Sequence, residues 1–99
     1  MGVMEMSKLS DLPNVGKILE KNLRDVGITT PEQLREIGAR EAFLRIRVND
    51  PTACIHMLYG IQGAIEGIRD VYLSKEVKQE LRAFHNGLTS TAPDESAEK

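Results

Sequence analysis

The residues best suited to chemistry form a short turn at residues 12–17, with the sequence Leu-Pro-Asn-Val-Gly-Lys. A turn of this type that opens a helix presents unpaired backbone N–H groups at the positive end of the helix dipole, and such groups bind a phosphate oxygen. Asn14 and Gly16 are residue types that tolerate a positive φ within such a turn. A phosphate oxygen fits these groups, and so does an acidic side chain such as Asp11, or water.

Three cations follow the turn on the predicted helix. At about 100° per residue, Lys17, Lys21 and Arg24 fall within about 60° of one another, on the side opposite the apolar face. Such a stripe can follow a nucleic-acid backbone, but the interleaved Glu20 and Asp25 favour an ordinary solvated face. The sequence thus predicts one candidate nucleic-acid site, formed by Asn14, Gly16, Lys17, Lys21 and Arg24.

The rest of the chain carries no recognisable catalytic or metal-binding pattern. His56 and His85 are 29 residues apart, and neither lies at a metal-ligand spacing from a Cys, Asp or Glu. We therefore predict no enzyme, no catalytic residue, no metal site and no cofactor. We expect His56 to be partly buried. The single cysteine, Cys54, is expected to be a small buried apolar residue in a protein of the reducing cytoplasm.

Five helices and no strand are predicted. The first runs from residue 14 or 15 to residue 26 and ends at Gly27. The second begins with the N-cap Thr30, has Gln33 in position to complete a capping box, and ends at Gly38. The apolar face of the first helix is formed by Val15, Ile18, Leu19, Leu23 and Val26.

The third and fourth helices are predicted at residues 39–48 and 53–68. The fourth is the most apolar and contains Gly60, Gly63 and Gly67, each of which weakens a helix interior. We therefore expect another helix backbone to pack closely against these glycines, with a homodimer interface as the alternative.

The fifth helix is predicted to start near Ser74 and to end at residues 85–87. Its surface carboxylates, Glu76 and Glu80, are expected to pair with the neighbouring cations of the same helix. These cations are Lys75, Lys78 and Arg82. Residues 88–99 are rich in Ser, Thr, Pro, Ala and acidic residues, and this composition predicts a disordered acidic tail.

Composition indicates one small domain, residues 1–87, with an aliphatic core. The 99 residues are 40% hydrophobic and 28% charged. No run approaches the roughly 18 apolar residues of a membrane helix. The first residues show no signal-peptide pattern. Residues 1–87 carry 12 cations and 12 anions, and residues 88–99 contribute the net charge of −2, one cation minus three anions. Dedicated nucleic-acid-binding domains are usually basic, so this balance weighs against one.

Several segments carry a resemblance to a known family. They are the turn at residues 12–16, the segments 23–28, 29–34, 37–39 and 42–45, and the run Leu-Tyr-Gly-Ile-Gln-Gly-Ala-Ile-Glu-Gly at residues 58–67. Over residues 8–85 the chain resembles the C-terminal domain of the TfoX/Sxy competence regulators. The resemblance implies an all-α, compact bundle of five short helices, similar to helix-hairpin-helix and SAM domains, in a bacterial cytoplasmic protein.

The resemblance also bears on function. In the family's namesakes this domain follows an N-terminal domain, and the whole protein promotes transcription of DNA-uptake genes together with a cyclic-AMP receptor protein. A stand-alone copy without the N-terminal domain need not inherit that role. Wider relatives bind DNA through the hairpin, but Asn14 here replaces the first glycine of phosphate-holding hairpins.

The sequence therefore favours a non-enzymatic interaction module that acts in transcriptional regulation through an unidentified protein partner. Weak, sequence-independent DNA binding through residues 12–17 is the alternative. Homo-oligomerisation is left open by the glycines of the fourth helix, and no membrane contact is expected.

Overall fold

The computed structural model describes residues 8–89, which form a bundle of five α-helices without a β-strand in that range. The helices are α1 (Lys17–Asp25), α2 (Pro31–Ile37), α3 (Ala39–Asn49), α4 (Ile55–Glu66) and α5 (Lys75–Thr89). Single 3-10 turns lie before α1 (Leu9–Asp11) and between α4 and α5 (Asp70–Tyr72). The predicted all-α class with five short helices is confirmed.

The core is aliphatic and centres on α4. This helix packs against α2, α3, α5 and the Asp70–Tyr72 turn, while α1 packs against α3. Phe43 is the largest side chain that is completely buried, and its neighbours in the core cluster include Leu23, Leu34, Leu58 and Ile61. Burial of such side chains stabilises the fold by about 1.5–3 kcal/mol each relative to full exposure.

Local signals in the sequence set the helix ends. The Thr30 hydroxyl accepts the N–H of Gln33 at 3.1 Å, as an N-cap should. The Gln33 side chain accepts the N–H of Thr29 at 2.7 Å, one residue before the position that a capping box would use. Gly38 has φ +89° and separates α2 from α3, and Gly67 has φ +80° directly after α4. Glycine adopts this left-handed backbone without the Cβ clash that other residues meet.

The boundaries of three helices differ from those predicted. Helix α1 begins at Lys17 rather than at residue 14 or 15, and α4 covers Ile55–Glu66, shorter than residues 53–68. Helix α5 continues through residues 85–87 to Thr89, so the predicted end there is wrong. Gly87 has open space around its Cβ position, and nothing in its backbone stops the helix. Of the predicted tail, residues 90–99 lie outside the described range, as do residues 1–7.

Several predicted environments are corrected. Cys54 is exposed at the N-cap of α4, because the helix starts one residue later and leaves it outside the core. His56 is also exposed, with its ring edge to Tyr59 at 6.2 Å between centroids. Ile18 is 77% exposed although the helical spacing placed it on the inward face. Glu80 pairs with Arg40 of α3 at 3.9 Å rather than with the cations of its own helix.

Candidate functional site

The turn at residues 12–17 combines one left-handed residue with one extended residue. Both residue types tolerate a positive φ, but only Asn14 adopts one, at +70°, whereas Gly16 is extended at φ −92° and ψ −170° and serves as the N-cap of α1. The Val15 N–H donates to the Leu12 carbonyl at 3.3 Å, which closes the turn. The first intrahelical bond of α1 runs from the Glu20 N–H to the Gly16 carbonyl at 2.9 Å. The N–H groups preceding Glu20 in α1 therefore point out of the helix end.

The side chain of Asn14 points into the protein. Its Nδ2 donates to the carbonyl of Ile68 at 3.0 Å and, more weakly, to that of Gly60 at 3.4 Å. Its Oδ1 accepts the backbone N–H of Asp70 at 3.1 Å. The amide thus satisfies backbone groups of α4 and of the loop that follows it, and its donors and acceptor are engaged within the chain.

Two glycines of α4 make room for this contact. A Cβ on Gly63 would lie 2.6 Å from Asn14 Nδ2 and 2.7 Å from the Ile68 carbonyl oxygen. A Cβ on Gly60 would lie 3.6 Å from the Cβ of Asn14, an ordinary van der Waals distance. The close approach that the glycines predicted is therefore made by a turn and a loop of the same chain, not by a second helix.

The three predicted cations differ in how they are paired. Lys21 Nζ lies 2.8 Å from Asp25 Oδ2, and Arg24 lies 3.4 Å from Glu20 Oε2, each pair within one turn of α1. The hydrogen bond to Asp25, followed by the charge of that carboxylate, raises the pKa of Lys21 above its ordinary value of 10.5. Among the described residues Lys17 makes no ion pair, so it is the member of the stripe most available to an external anion.

An apolar depression lies beside this end of α1. It has a volume of about 560 Å³ and is lined by Gly16, Lys17, Ile18, Leu19 and Met57. We call these five residues the Ile18 patch. Ile18 is the most exposed of its apolar side chains, at 77%, and Leu19 forms its buried floor at 9%. The depression thus places one exposed apolar side chain beside the charge of Lys17.

Each of the two histidines lies against an aromatic ring. His85 packs against Phe43, with ring centroids 5.8 Å apart. The rings of His56 and Tyr59 meet in an edge-to-face arrangement. Within residues 8–89 no three His, Cys, Asp or Glu side chains form a group that could hold a metal ion. In the same range no helix is long and apolar enough to cross a membrane.

Sequence comparison identifies a family that is similar over most of the chain. Residues 5–85 match the TfoX C-terminal domain. Protein Sxy of Escherichia coli is 37% identical over 82 residues, which are 83% of this chain and 39% of Sxy. The DNA transformation protein TfoX of Haemophilus influenzae is 31% identical over 77 residues, 78% of this chain and 36% of that protein. The chain therefore spans less than half the length of these curated relatives.

Two crystal structures share the fold. Both are chains from Listeria monocytogenes, one described as an uncharacterized protein in a triclinic form and one as a protein of unknown function in a tetragonal form. The first is 47% identical, with a TM-score of 0.83, and the match covers 84% of this chain and 94% of that one. The second is 49% identical, with a TM-score of 0.80, and covers 81% and 98%.

Proposed function

Because the chain belongs to the TfoX C-terminal domain family, we propose that it is a non-enzymatic module of transcriptional regulation that acts in the cytoplasm through protein contacts. The relatives in this family include a DNA transformation protein, which supports a role related to competence regulation. The observation that carries the proposal is the Ile18 patch, an apolar surface at the end of a helix that is otherwise buried on its apolar side.

The chemistry of the patch defines the partner that it fits. Ile18 and Met57 offer apolar contact, and Lys17 is the one charged side chain that lines the depression. Lys17 makes no ion pair with a described residue, so a carboxylate on the partner would neutralise it without displacing an existing one. The partner is therefore a protein that presents an apolar side chain next to an Asp or Glu. Full burial of an isoleucine stabilises such a contact by about 1.5–3 kcal/mol.

A pair of matched variants tests this function in the cell. Ile18→Gln removes the apolar contact, and Val48→Gln makes the same change at a residue of α3 that is 82% exposed. Each is used to complement a deletion strain of the host organism, and transcripts are profiled against the wild-type chain. We expect Val48→Gln to restore the transcript pattern and Ile18→Gln to fail. Restoration by both variants, or by neither, would contradict a role for the patch.

Sedimentation separates a protein partner from self-association through the same surface. We expect the purified wild-type chain to sediment as a monomer at all concentrations. A concentration-dependent dimer that is lost in Ile18→Gln would assign the patch to a second copy and overturn the proposal of a partner protein.

The second candidate function is weak, sequence-independent nucleic-acid binding through the turn at residues 12–17. It is supported by the unpaired Lys17 and the outward N–H groups at the start of α1. The Asn14 amide points inward, and Lys21 and Arg24 are paired within α1. Fewer groups of the site are therefore available to contact a phosphate. Fluorescence anisotropy with a labelled DNA duplex at two salt concentrations tests it, with Lys17→Glu expected to abolish any binding by the turn.

A further inference from the structure

A second surface is strongly cationic, and its residues come from the C-terminal half of the chain rather than from the turn at residues 12–17. A cleft of about 550 Å³ runs along the first half of α5 and is lined by Leu73, Lys75, Lys78, Gln79 and Arg82. At about 100° per residue the four α5 residues occupy about 100° of the helix circumference, on the side away from the packed apolar residues. The apolar residues of α5 that join the core are Val77, Leu81 and Phe84.

Within residues 8–89 no carboxylate lines this cleft. Glu80 is directed to the other flank of α5, where it meets Arg40 of α3 at 3.9 Å. Glu76 lies about 100° around the helix from Lys75, outside the lining residues. Among the described residues Lys75, Lys78 and Arg82 form no ion pair. Three basic side chains thus face one cleft without an internal counter-charge.

An exposed aromatic residue lies next to the cleft. Tyr72 is 73% exposed in the Asp70–Tyr72 turn, directly before the lining residue Leu73. Two residues separate it from Lys75, so their Cα atoms are at most about 11 Å apart. Arg69, the residue before the turn, is exposed as well, so the segment that leads into the cleft carries a fourth cation.

We propose that this surface, formed by Arg69, Tyr72, Lys75, Lys78 and Arg82, binds single-stranded nucleic acid. The cations contact successive phosphates, and the Tyr72 ring stacks on a base. Basic grooves with an exposed aromatic are the arrangement by which proteins hold single strands, because every base offers a face for stacking. A duplex keeps its bases stacked on one another, and an acidic peptide has no base to place on Tyr72. The inference goes beyond the proposed function, and its surface does not overlap the Ile18 patch.

The binding test uses the full chain and three fluorescent probes: a mixed-sequence single strand, the matching duplex and a polyglutamate peptide. We expect the single strand to bind most tightly by anisotropy. The logarithm of the binding constant falls with the logarithm of the salt concentration, with a slope of about −0.7 per phosphate contact. Four contacts therefore predict a loss of affinity of roughly 50-fold between about 50 mM and about 200 mM salt. Absence of binding to the single strand at low salt would overturn the proposal, as would equal binding of the duplex or tighter binding of polyglutamate.

Variants locate the site. Tyr72→Ala should weaken binding of the single strand by about five-fold or more, because stacking on one aromatic ring is lost. Lys75→Glu should weaken it by about ten-fold or more through a lost contact and a repulsive charge. A glutamate at this first position of α5 is compatible with the helix dipole, so the helix keeps its start. Affinity that is unchanged in both variants would overturn the proposal.

Two control variants separate this surface from the others. Lys17→Glu changes the turn at residues 12–17, and Ile18→Gln changes the Ile18 patch. We expect Ile18→Gln to bind the single strand as the wild-type chain does, and Lys17→Glu measures any contribution of the turn. Loss of binding in Lys17→Glu with retention in Lys75→Glu would place the nucleic acid on the turn and reject the α5 surface. If Ile18→Gln restored the transcript pattern, the proposal for the Ile18 patch would be rejected and the proposal for the α5 surface would be unaffected. The two proposals are therefore tested independently.

Discussion

The side-chain oxygen of Asn14 accepts the backbone N–H of Asp70 at 3.1 Å, and this bond joins two turns that lie 56 residues apart in sequence. The same amide donates to the carbonyls of Ile68 and Gly60. A residue at this position must tolerate a positive φ, and its short side chain must both donate and accept a hydrogen bond. Asparagine meets all three conditions, since aspartate lacks the donor and glycine lacks the side chain.

Replacement of Asn14 should therefore destabilise the fold in graded steps. Asn14→Gly keeps the left-handed backbone and loses the hydrogen bonds, for which we expect a cost of about 1–3 kcal/mol. Asn14→Ala adds the steric penalty of a Cβ at φ +70°, about 1–2 kcal/mol more. Urea unfolding monitored by circular dichroism gives both free energies. Equal stability of the two variants would show that the backbone of this turn rearranges and carries no strain.

The two glycines that face Asn14 predict opposite results for the same substitution. Gly63→Ala places a methyl group 2.7 Å from the Ile68 carbonyl oxygen and 2.6 Å from Asn14 Nδ2, so the loop after α4 must shift and stability should fall. Gly60→Ala meets only the Asn14 Cβ at 3.6 Å and should be neutral or stabilise α4 by up to about 1 kcal/mol. Thermal unfolding of the two variants compares them directly. A Gly63→Ala protein as stable as Gly60→Ala would contradict the packing described.

The sequence predicted the helices more reliably than the surroundings of their side chains. Apolar spacing and cap residues such as Thr30 and Gly38 are local, so the number and order of the helices could be derived from them. The environments of Cys54 and His56 could not, because both lie at the start of α4, which begins two residues later than predicted.

The candidate turn shows why its role was harder to derive. Its residue types allowed a positive φ at both Asn14 and Gly16, and only Asn14 adopts one. The partners of the Asn14 side chain come from residues 60–70, and no local pattern links such distant positions. The α5 surface was missed for a different reason. Spacing within one helix suggested that Glu80 pairs with its neighbours, and only the packing of α5 against α3 directs it to Arg40.

Substitution of exposed apolar residues should leave the fold intact. Ile18 and Val48 are 77% and 82% exposed, so Ile18→Gln and Val48→Gln remove little buried surface. We expect each to change the free energy of unfolding by less than about 0.5 kcal/mol. Denaturant titration provides the measurement and validates the two variants for the complementation experiment. A loss of more than this in Ile18→Gln alone would mean that the Ile18 patch supports the fold rather than a partner.

The pair of Lys21 and Asp25 makes a prediction about titration. Because Asp25 raises the pKa of Lys21, Asp25→Asn should return that pKa towards 10.5, as followed by NMR of the lysine side chain. Because this pKa is raised in the folded protein, the Lys21–Asp25 pair stabilises the fold fully below about pH 10.5. This stabilisation is lost as the pH rises through the raised pKa. Glu20→Gln is the matched control, since it removes a neighbouring carboxylate that pairs with Arg24 instead. A drop of the Lys21 pKa in Glu20→Gln as large as in Asp25→Asn would contradict the assigned pair. If the turn at residues 12–17 binds nucleic acid, Asp25→Asn should also tighten that binding, because Lys21 is then free to meet a phosphate.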